Sequence, residues 1–238
     1  WHWYLDMILS IYENSEREII TFVLPEKATE IPDFPEELIK EGLEEISSSP
    51  QGHLSRPLRY KILQAFRSPR IAGRVGILCA LKVLPIWRKY FGKNHEIIEL
   101  LRKAEYCLGE KATPDEITKI ADYISSLVEG HDYGTNFAPL MAGMAAVQAA
   151  YTVTDGNDCE EVAENDEELA SDEWDAAFLA SLSCNGGAAD LSEINPESNR
   201  EFWKWYLTDC IPYVYENEKH AGYHAGNKIR IPTPTNCN

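Results

Sequence analysis

The chain has 238 residues and a formal net charge of −17, with 44% hydrophobic and 11% aromatic residues. A chain of this length can bury a core that needs neither disulfides nor a metal, and its composition excludes wholesale disorder and a disulfide-dense scaffold. The charge argues against nucleic acid or an anionic membrane surface as the main partner, because both repel a polyanion. A basic protein partner remains compatible with it.

The charge is unevenly distributed along the chain. Residues 56–103 contain 12 basic and 2 acidic side chains, whereas residues 155–238 contain 18 acidic and 5 basic ones. A basic stretch between acidic segments indicates that its side chains form ion pairs with carboxylates of the same chain. We therefore expect carboxylates within the fold to meet the arginines of this stretch, namely Arg56, Arg59, Arg67, Arg70 and Arg74.

Helical signals follow one another along the chain. Three kinds of signal predict helices: prolines and acids at the starts, apolar residues at helical spacing, and glycines at the ends. The predicted helices cover about 35–46, 57–66, 70–90, 94–108, 113–130, 139–151, 173–183 and 196–215. Within them, Asn94 and Asp172 are expected N-caps, and Pro85 predicts a kink or a helix end near residues 83–84. The run 139–151 is small and apolar, so neighbouring helices can approach it closely.

The expected fold is all-α, a single compact multi-helix domain of about seven to nine helices. Residues 33–216 form this domain, residues 1–32 are expected to be an N-terminal extension packed on it, and residues 217–238 an irregular C-terminal tail. The one β-like run, residues 18–24, could equally be helical.

Cysteine usage and targeting signals favour the cytoplasm. No two of the six cysteines have C-x-x-C spacing, and Cys79, Cys107, Cys184 and Cys210 lie in apolar helical runs, where free thiols are typical. The first residues lack a basic region and a small-residue cleavage site, so no secretory signal is expected. No apolar run approaches the ~18 residues of a membrane span.

Catalytic and metal-binding motifs are weak throughout, and we expect no catalytic residues, no metal and no cofactor. His95 to Glu99 resembles a zincin helix but ends in Glu instead of the second His. His220 and His224 have metal-ligand spacing but lie in a glycine-broken tail. His131 and Asp132 follow a helix end; they suit a turn better than a catalytic pair, although a helical hydrolase using them stays an alternative.

Two features indicate an interaction surface. The first is the acidic segment, residues 155–175, with eleven acids and no base: Asp155, Asp158, Glu160, Glu161, Glu164, Asp166, Glu167, Glu168, Asp172, Glu173 and Asp175. It is either a solvated loop or a docking surface for a basic protein, and we take all but Asp175 as candidate partner-binding residues. The second is Trp205, which projects onto the polar face of the last helix, as an interface anchor would, unless another element packs there.

Four segments resemble one family, the all-helical immunity protein family five of bacterial polymorphic toxin systems. They are Gln51 to Leu54 with Arg56 and Arg59, Val83 to Trp87, Trp174 to Ala180 with Gly186 and Gly187, and Arg200 to Leu207 leading to Ile211 and Pro212. The matching residues are mostly aromatic or small, so they testify to a fold more than to an active site. The resemblance implies a cytoplasmic protein that binds a cognate toxin domain and protects the producing cell.

Our leading hypothesis is a non-enzymatic immunity protein whose acidic surface docks on a basic toxin. A nuclease is a toxin that would have such a basic surface. The alternatives are the hydrolase and a helical scaffold or adaptor without a toxin. The toxin's identity, the surface that binds it and the oligomeric state are open at this point.

Overall fold

The computed structural model describes residues 31–92, 95–109, 111–155, 166, 173–185 and 195–220. Across these residues the chain forms eight helices and no strand, which confirms the expected all-α domain. They are α1 (Glu36–Ser48), α2 (Arg56–Ala65), α3 (Pro69–Phe91), α4 (His95–Leu108), α5 (Pro114–Glu129), α6 (Tyr133–Asp155), α7 (Ala176–Cys184) and α8, which runs through Pro196–Trp205, a π-helical turn over Tyr206–Cys210, and Ile211–His220. The β-like run 18–24 lies outside the described residues.

Local signals set where several helices begin. Pro57, Pro114 and Pro196 stand in the first turn of α2, α5 and α8, as predicted. Proline suits this position because its missing N–H would have no helical acceptor there. Before α8, the Asn195 side chain accepts hydrogen bonds from the backbone N–H of Glu197 at 3.0 Å and of Ser198 at 3.2 Å.

Helices α3 and α6 form the centre of the domain. They share the largest interhelical interface, and α6 also packs against α4, α5 and α7. A Cβ atom added at Gly76 of α3 would lie 3.4 Å from the Cα of Ala149 in α6. The two backbones therefore approach closely, which confirms the prediction made from the small residues of 139–151.

Of the two outcomes predicted at Pro85, a kink or a helix end near residues 83–84, the helix end is absent, because α3 continues to Phe91. Pro85 itself is exposed, while Leu84 and Trp87 beside it are buried. Packing of these apolar side chains outweighs the backbone hydrogen bond that proline cannot donate.

The starts of α6 and α7 differ from the sequence prediction. Helix α6 begins at Tyr133, and Asn136, with φ −125° and ψ 21°, interrupts it before Pro139. Helix α7 begins at Ala176 and is capped by Asp175, whose Oδ1 accepts from the N–H of Phe178 at 2.9 Å. The expected cap, Asp172, lies outside the described residues, as does Asn94 before α4. Asp175 satisfies the capping geometry because its carboxylate stands three residues before that N–H.

The C-terminal boundary also shifts. Helix α8 extends to His220, so residues 217–220, expected in an irregular tail, are helical. The remainder of the tail and residues 1–30 lie outside the described part of the chain.

The cysteines divide into free and bonded. Cys79, Cys107 and Cys210 are free, as expected, and Cys79 and Cys210 are buried. Cys184 differs from expectation, because it is disulfide-bonded. The prediction of free thiols is therefore confirmed at three of the four helical cysteines and is wrong at Cys184. None of the described helices combines the length and apolarity needed to cross a membrane.

Candidate functional site: the Arg59 cluster and the acidic segment

The guanidinium of Arg59, on α2, is the centre of a buried cluster of charges. Its Nε and Nη2 donate to Oδ2 of Asp175 at 3.1 and 2.6 Å. Its Nη1 and Nη2 donate to Asp166 at 3.0 and 2.5 Å, and Nη1 also donates to the carbonyl of Leu54 at 2.7 Å. These bonds engage all five N–H donors of the guanidinium, which explains how it tolerates 1% exposure.

Aromatic rings enclose the same guanidinium. The Arg59 Cζ atom lies 5.5 Å from the ring centroid of Phe178 and 5.1 Å from that of Trp203. Ring faces attract a cation, and these two exclude water from the ion pairs. The cluster therefore joins α2, α7 and α8.

Asp166 is held at two places. Its Oδ2 lies 3.0 Å from Nε2 of His53, besides its bonds to Arg59, and its backbone carbonyl accepts from the indole N–H of Trp174 at 2.9 Å. The His53 ring packs edge-on against Phe178, with centroids 5.5 Å apart. Side-chain and backbone contacts together fix this one residue of the acidic segment against the helices.

The charges of the cluster stabilise each other. Burial by itself would raise the pKa of Asp166, but the Arg59 guanidinium and the His53 hydrogen bond hold that pKa well below its usual range. Burial would likewise lower the pKa of Arg59, yet Asp175 and Asp166 raise it above its ordinary value. Since the pKa of Asp166 is lower in the folded chain, its pairing stabilises the fold above the unfolded pKa of about 3.9, and this stabilisation is lost as the pH falls below that value.

A second buried cluster confirms the expected pairing with carboxylates for Arg70 and Arg74. Nε of Arg74 lies 3.1 Å from both carboxylate oxygens of Glu105, and its Nη1 donates to Glu218. Arg70 contributes an Nε 3.5 Å from Oε1 of Glu218. This cluster joins α3, α4 and α8. Of the other predicted arginines, Arg56 donates to the Glu173 carbonyl at 3.3 Å and Arg67 is exposed.

The acidic segment contributes residues to both the surface and the interior. Asp155 and Glu173 are exposed, whereas Asp166 is 2% exposed and Asp175 is partly buried. Asp166 differs from expectation: its carboxylate faces Arg59 and His53, so almost none of it is exposed to a partner. The remaining acids lie outside the described residues: Asp158, Glu160, Glu161, Glu164, Glu167, Glu168 and Asp172.

Trp205 lies at the junction of α8 with its π-helical turn. It is half-buried, and its indole contacts the Phe202 ring at 5.6 Å between centroids. The ammonium of Lys82, from α3, lies 4.3 Å from the centroid of the Trp205 ring, and burial lowers the pKa of that lysine. The second packing neighbour left open by the sequence is thus Lys82, while Glu201 and Asp209 beside Trp205 are exposed.

The residues considered for catalysis occupy a turn. Nδ1 of His131 lies 2.6 Å from the carbonyl of Leu127, and its ring packs edge-on against Phe91. Asp132 accepts from the backbone N–H of Gly134 at 3.0 Å. Both side chains are exposed and are engaged locally, as a turn role requires.

Metal-ligating side chains do not gather in the described part of the chain. There, no group of three or more His, Cys, Asp and Glu residues could hold a metal ion. The side chains of His220 and His224 lie outside what the structure describes.

The sequence indicated the residues of the Arg59 cluster one by one, but it did not predict that they lie together in the fold. His53 and Arg59 belong to the first of the four resemblance segments, Trp174 and Asp175 to the third, and Trp203 to the fourth. The sequence signal for this cluster is that polar residues occur within motifs that otherwise consist of aromatic and small residues. A motif that retains a charge inside an apolar context indicates a buried partner.

Comparison with known proteins covers the same region. The family model described as Immunity protein Imm5 matches residues 39–213. This range contains α2 to α7, most of α1 and α8, and the whole Arg59 cluster. None of the curated proteins matches the chain.

Proposed function

The chain belongs to the Imm5 family of immunity proteins, and from this premise we propose that it binds a cognate toxin protein and neutralises it without catalysing a reaction itself. The family match over residues 39–213 carries this proposal. The engagement of His131 and Asp132 in a turn agrees with it. We place the protein in the bacterial cytoplasm, as part of a polymorphic toxin system.

We further propose that an acidic surface docks on a basic face of the toxin. The candidate residues are Asp155, Asp158, Glu160, Glu161, Glu164, Glu167, Glu168, Asp172 and Glu173, with Trp205 as a separate candidate anchor. Asp166 is left out because its carboxylate is buried against Arg59. Complementary charge of this kind speeds encounter with a basic partner.

Burial of basic side chains supports an acidic exterior. In the described part of the chain, four basic side chains are buried but only three acidic ones: Arg56, Arg59, Arg74 and Lys82 against Glu105, Asp166 and Glu218. Within the described residues, burial therefore removes one more positive charge than negative charge from the surface. A toxin that binds nucleic acid would present the basic surface that this charge favours, so we propose a nuclease.

The surface next to Asp155 is itself acidic. Asp122 and Glu129 of α5 are exposed, and the hydroxyl of Tyr151 donates to Asp122 at 2.9 Å. Burial, the hydrogen bond to Asp122 and the neighbouring carboxylates of Asp155 and Glu129 together raise the pKa of Tyr151 to about 12. Tyr151 therefore lies beside the carboxylates of Asp122, Asp155 and Glu129 where the acidic segment leaves α6.

Co-expression with the toxin encoded by the adjacent gene tests neutralisation. We expect restored growth and a complex that elutes as one peak on gel filtration. Unchanged toxicity together with no complex would overturn the proposal. Since a scaffold without a toxin would give neither rescue nor a complex, the same experiment separates the two functions.

Charge reversal tests the docking surface. We expect five reversals to Lys, at Glu160, Glu161, Glu164, Glu167 and Glu168, to weaken toxin binding at least ~10-fold and to make it less sensitive to salt. The matched control reverses five exposed acids in and before α1: Asp33, Glu36, Glu37, Glu41 and Glu44. Equal affinity and equal salt dependence in both variants would refute docking through the acidic segment.

A further inference from the structure

The outer face of α8 carries Trp205 between two exposed carboxylates. Glu201 precedes Trp205 by four residues and Asp209 follows it by four, and both acids are exposed while the indole is half-buried. In the part of the chain that the structure describes, neither acid lies within ion-pair distance of a basic side chain. Asp209 accepts a hydrogen bond from the hydroxyl of Thr208 at 2.6 Å. Glu201, Trp205 and Asp209 together are named the Trp205 stripe.

The π-helical turn explains why the three residues share a face. Buried side chains of α8 come in pairs, each four residues after the one before: 202/203, 206/207, 210/211 and 214/215. Four residues exceed one α-helical turn by about 40°, so in a regular α-helix the pairs would drift around the axis. The wider turn over Tyr206–Cys210 opposes this drift. The same spacing keeps the Trp205 stripe in line on the outside, and π-helical turns occur frequently at functional sites.

The indole of Trp205 is held in place by its own chain. Its ring centroid lies 5.6 Å from that of Phe202 and 4.3 Å from the ammonium of Lys82, on α3. Lys82 is 7% exposed, and within the described residues its ammonium has no hydrogen bond or ion pair. Burying an ammonium without an ion pair is costly, and the ring face offsets part of that cost. A buried lysine thus supports the indole while the ring stays half-exposed.

We propose that the Trp205 stripe is a docking surface for the toxin: the indole enters an apolar pocket of the toxin, and Glu201 and Asp209 pair with basic side chains around that pocket. This inference rests on the toxin binding proposed above, and it uses no residue of the acidic segment. Charge identifies the occupant, because two acids without a basic partner in the described fold flank the ring and match a basic rim. Aromatic side chains that are already held make good anchors, since binding costs them little rotamer freedom.

Truncation of the indole tests the anchor. Affinity for the purified toxin encoded by the adjacent gene is measured by calorimetry for wild type, Trp205→Ala and Tyr106→Ala, which truncates an exposed ring on α4. We expect Trp205→Ala to bind at least ~30-fold more weakly, the loss typical of an interface hot spot, and Tyr106→Ala to bind as wild type does. Equal affinities for all three chains would overturn the anchor and leave neutralisation by binding in place.

Charge reversal tests the basic rim with little risk to the fold, because both acids are exposed. Glu201→Lys with Asp209→Lys is compared with Glu37→Lys and Glu44→Lys, at exposed acids of α1 with similar spacing. We expect the first pair to bind about tenfold more weakly and with less salt dependence than the second. Lys204→Glu, at an exposed base next to Trp205, is expected to bind at least as tightly as wild type. Equal affinities for the two pairs, or weaker binding of Lys204→Glu, would contradict the basic rim.

A photocrosslink locates the surface even if Trp205→Ala fails to fold. Thr208, which is exposed one turn after Trp205, is replaced by p-benzoylphenylalanine, and the same replacement at Tyr106 is the control. On irradiation of the complex we expect a crosslink to the toxin from position 208 and none from position 106. Absence of a crosslink from position 208 would overturn the docking surface. A wild-type chain that forms no complex would instead reject toxin binding itself, and this docking surface with it.

Discussion

Gly143 of α6 stands where a larger residue cannot fit, so Gly143→Ala is expected to destabilise the domain. The added Cβ would lie 2.5 Å from Cζ3 and 2.9 Å from Cε3 of Trp87, and 3.2 Å from a methyl carbon of Val128. Trp87 is 1% exposed and its ring packs at a 34° tilt against the ring of Phe91 with centroids 4.2 Å apart, so it has little room to move away.

The magnitude follows from two opposing effects. Overpacking of a well-filled core costs about 1–3 kcal/mol, and two contacts below 3 Å place this site near the upper end. Replacing a helical glycine by alanine returns about 0.5–1 kcal/mol. We therefore expect a net loss of about 2 kcal/mol in the free energy of unfolding, which for a domain of this size lowers the melting temperature by roughly 4–8 °C.

Gly76→Ala in α3 is the matched control. There the nearest atoms, in Ala149 and Ala176, lie 3.4–3.5 Å from the added Cβ, which is ordinary contact. We expect a change between zero and a gain of about 1 kcal/mol. Urea unfolding followed by circular dichroism measures both variants. Gly143→Ala as stable as wild type, or no less stable than Gly76→Ala, would refute the packing derived for Trp87.

Three further changes test individual features. Gly52→Ala is expected to lower the urea midpoint, because Gly52 has φ +63° and an added Cβ would lie 2.6 Å from the Pro196 carbonyl oxygen; an unchanged midpoint contradicts this. Tyr151→Phe removes a phenol whose pKa is about 12 in the fold and about 10 when unfolded, so wild type should lose more stability than the variant as the pH rises from about 10 to 12. Tyr90→Phe, at an exposed ring, is its control and should lose stability as wild type does. Arg59→Lys keeps the charge but cannot make five bonds, and we expect about 2–4 kcal/mol less stability in urea; a loss below about 0.5 kcal/mol would show that the fork geometry is unimportant.

Helix positions were largely determined by the sequence itself. Pro114 with acids behind it, or Asn195 before Pro196, set a helix start through contacts within four residues. Such contacts form whatever the rest of the chain does, which is why α2, α5 and α8 begin where expected. At Pro85 the predicted helix end is absent, because the burial of Trp87 against Gly143 of α6 outweighs the local preference of proline to end a helix.

The tertiary structure decides which carboxylate pairs with which basic side chain. The sequence indicated that the basic stretch pairs internally, and it left open which carboxylates it meets. Arg59 finds Asp166 and Asp175, 107 and 116 residues further along the chain. Asp175 stands within an otherwise aromatic and small motif, but no local pattern distinguishes Asp166 from the nine other acids of the acidic segment, because Coulomb attraction has no sequence signature. Only the packing of α2, α7 and α8 brings Arg59 to Asp166, and so separates this buried acid from the exposed Asp155 and Glu173.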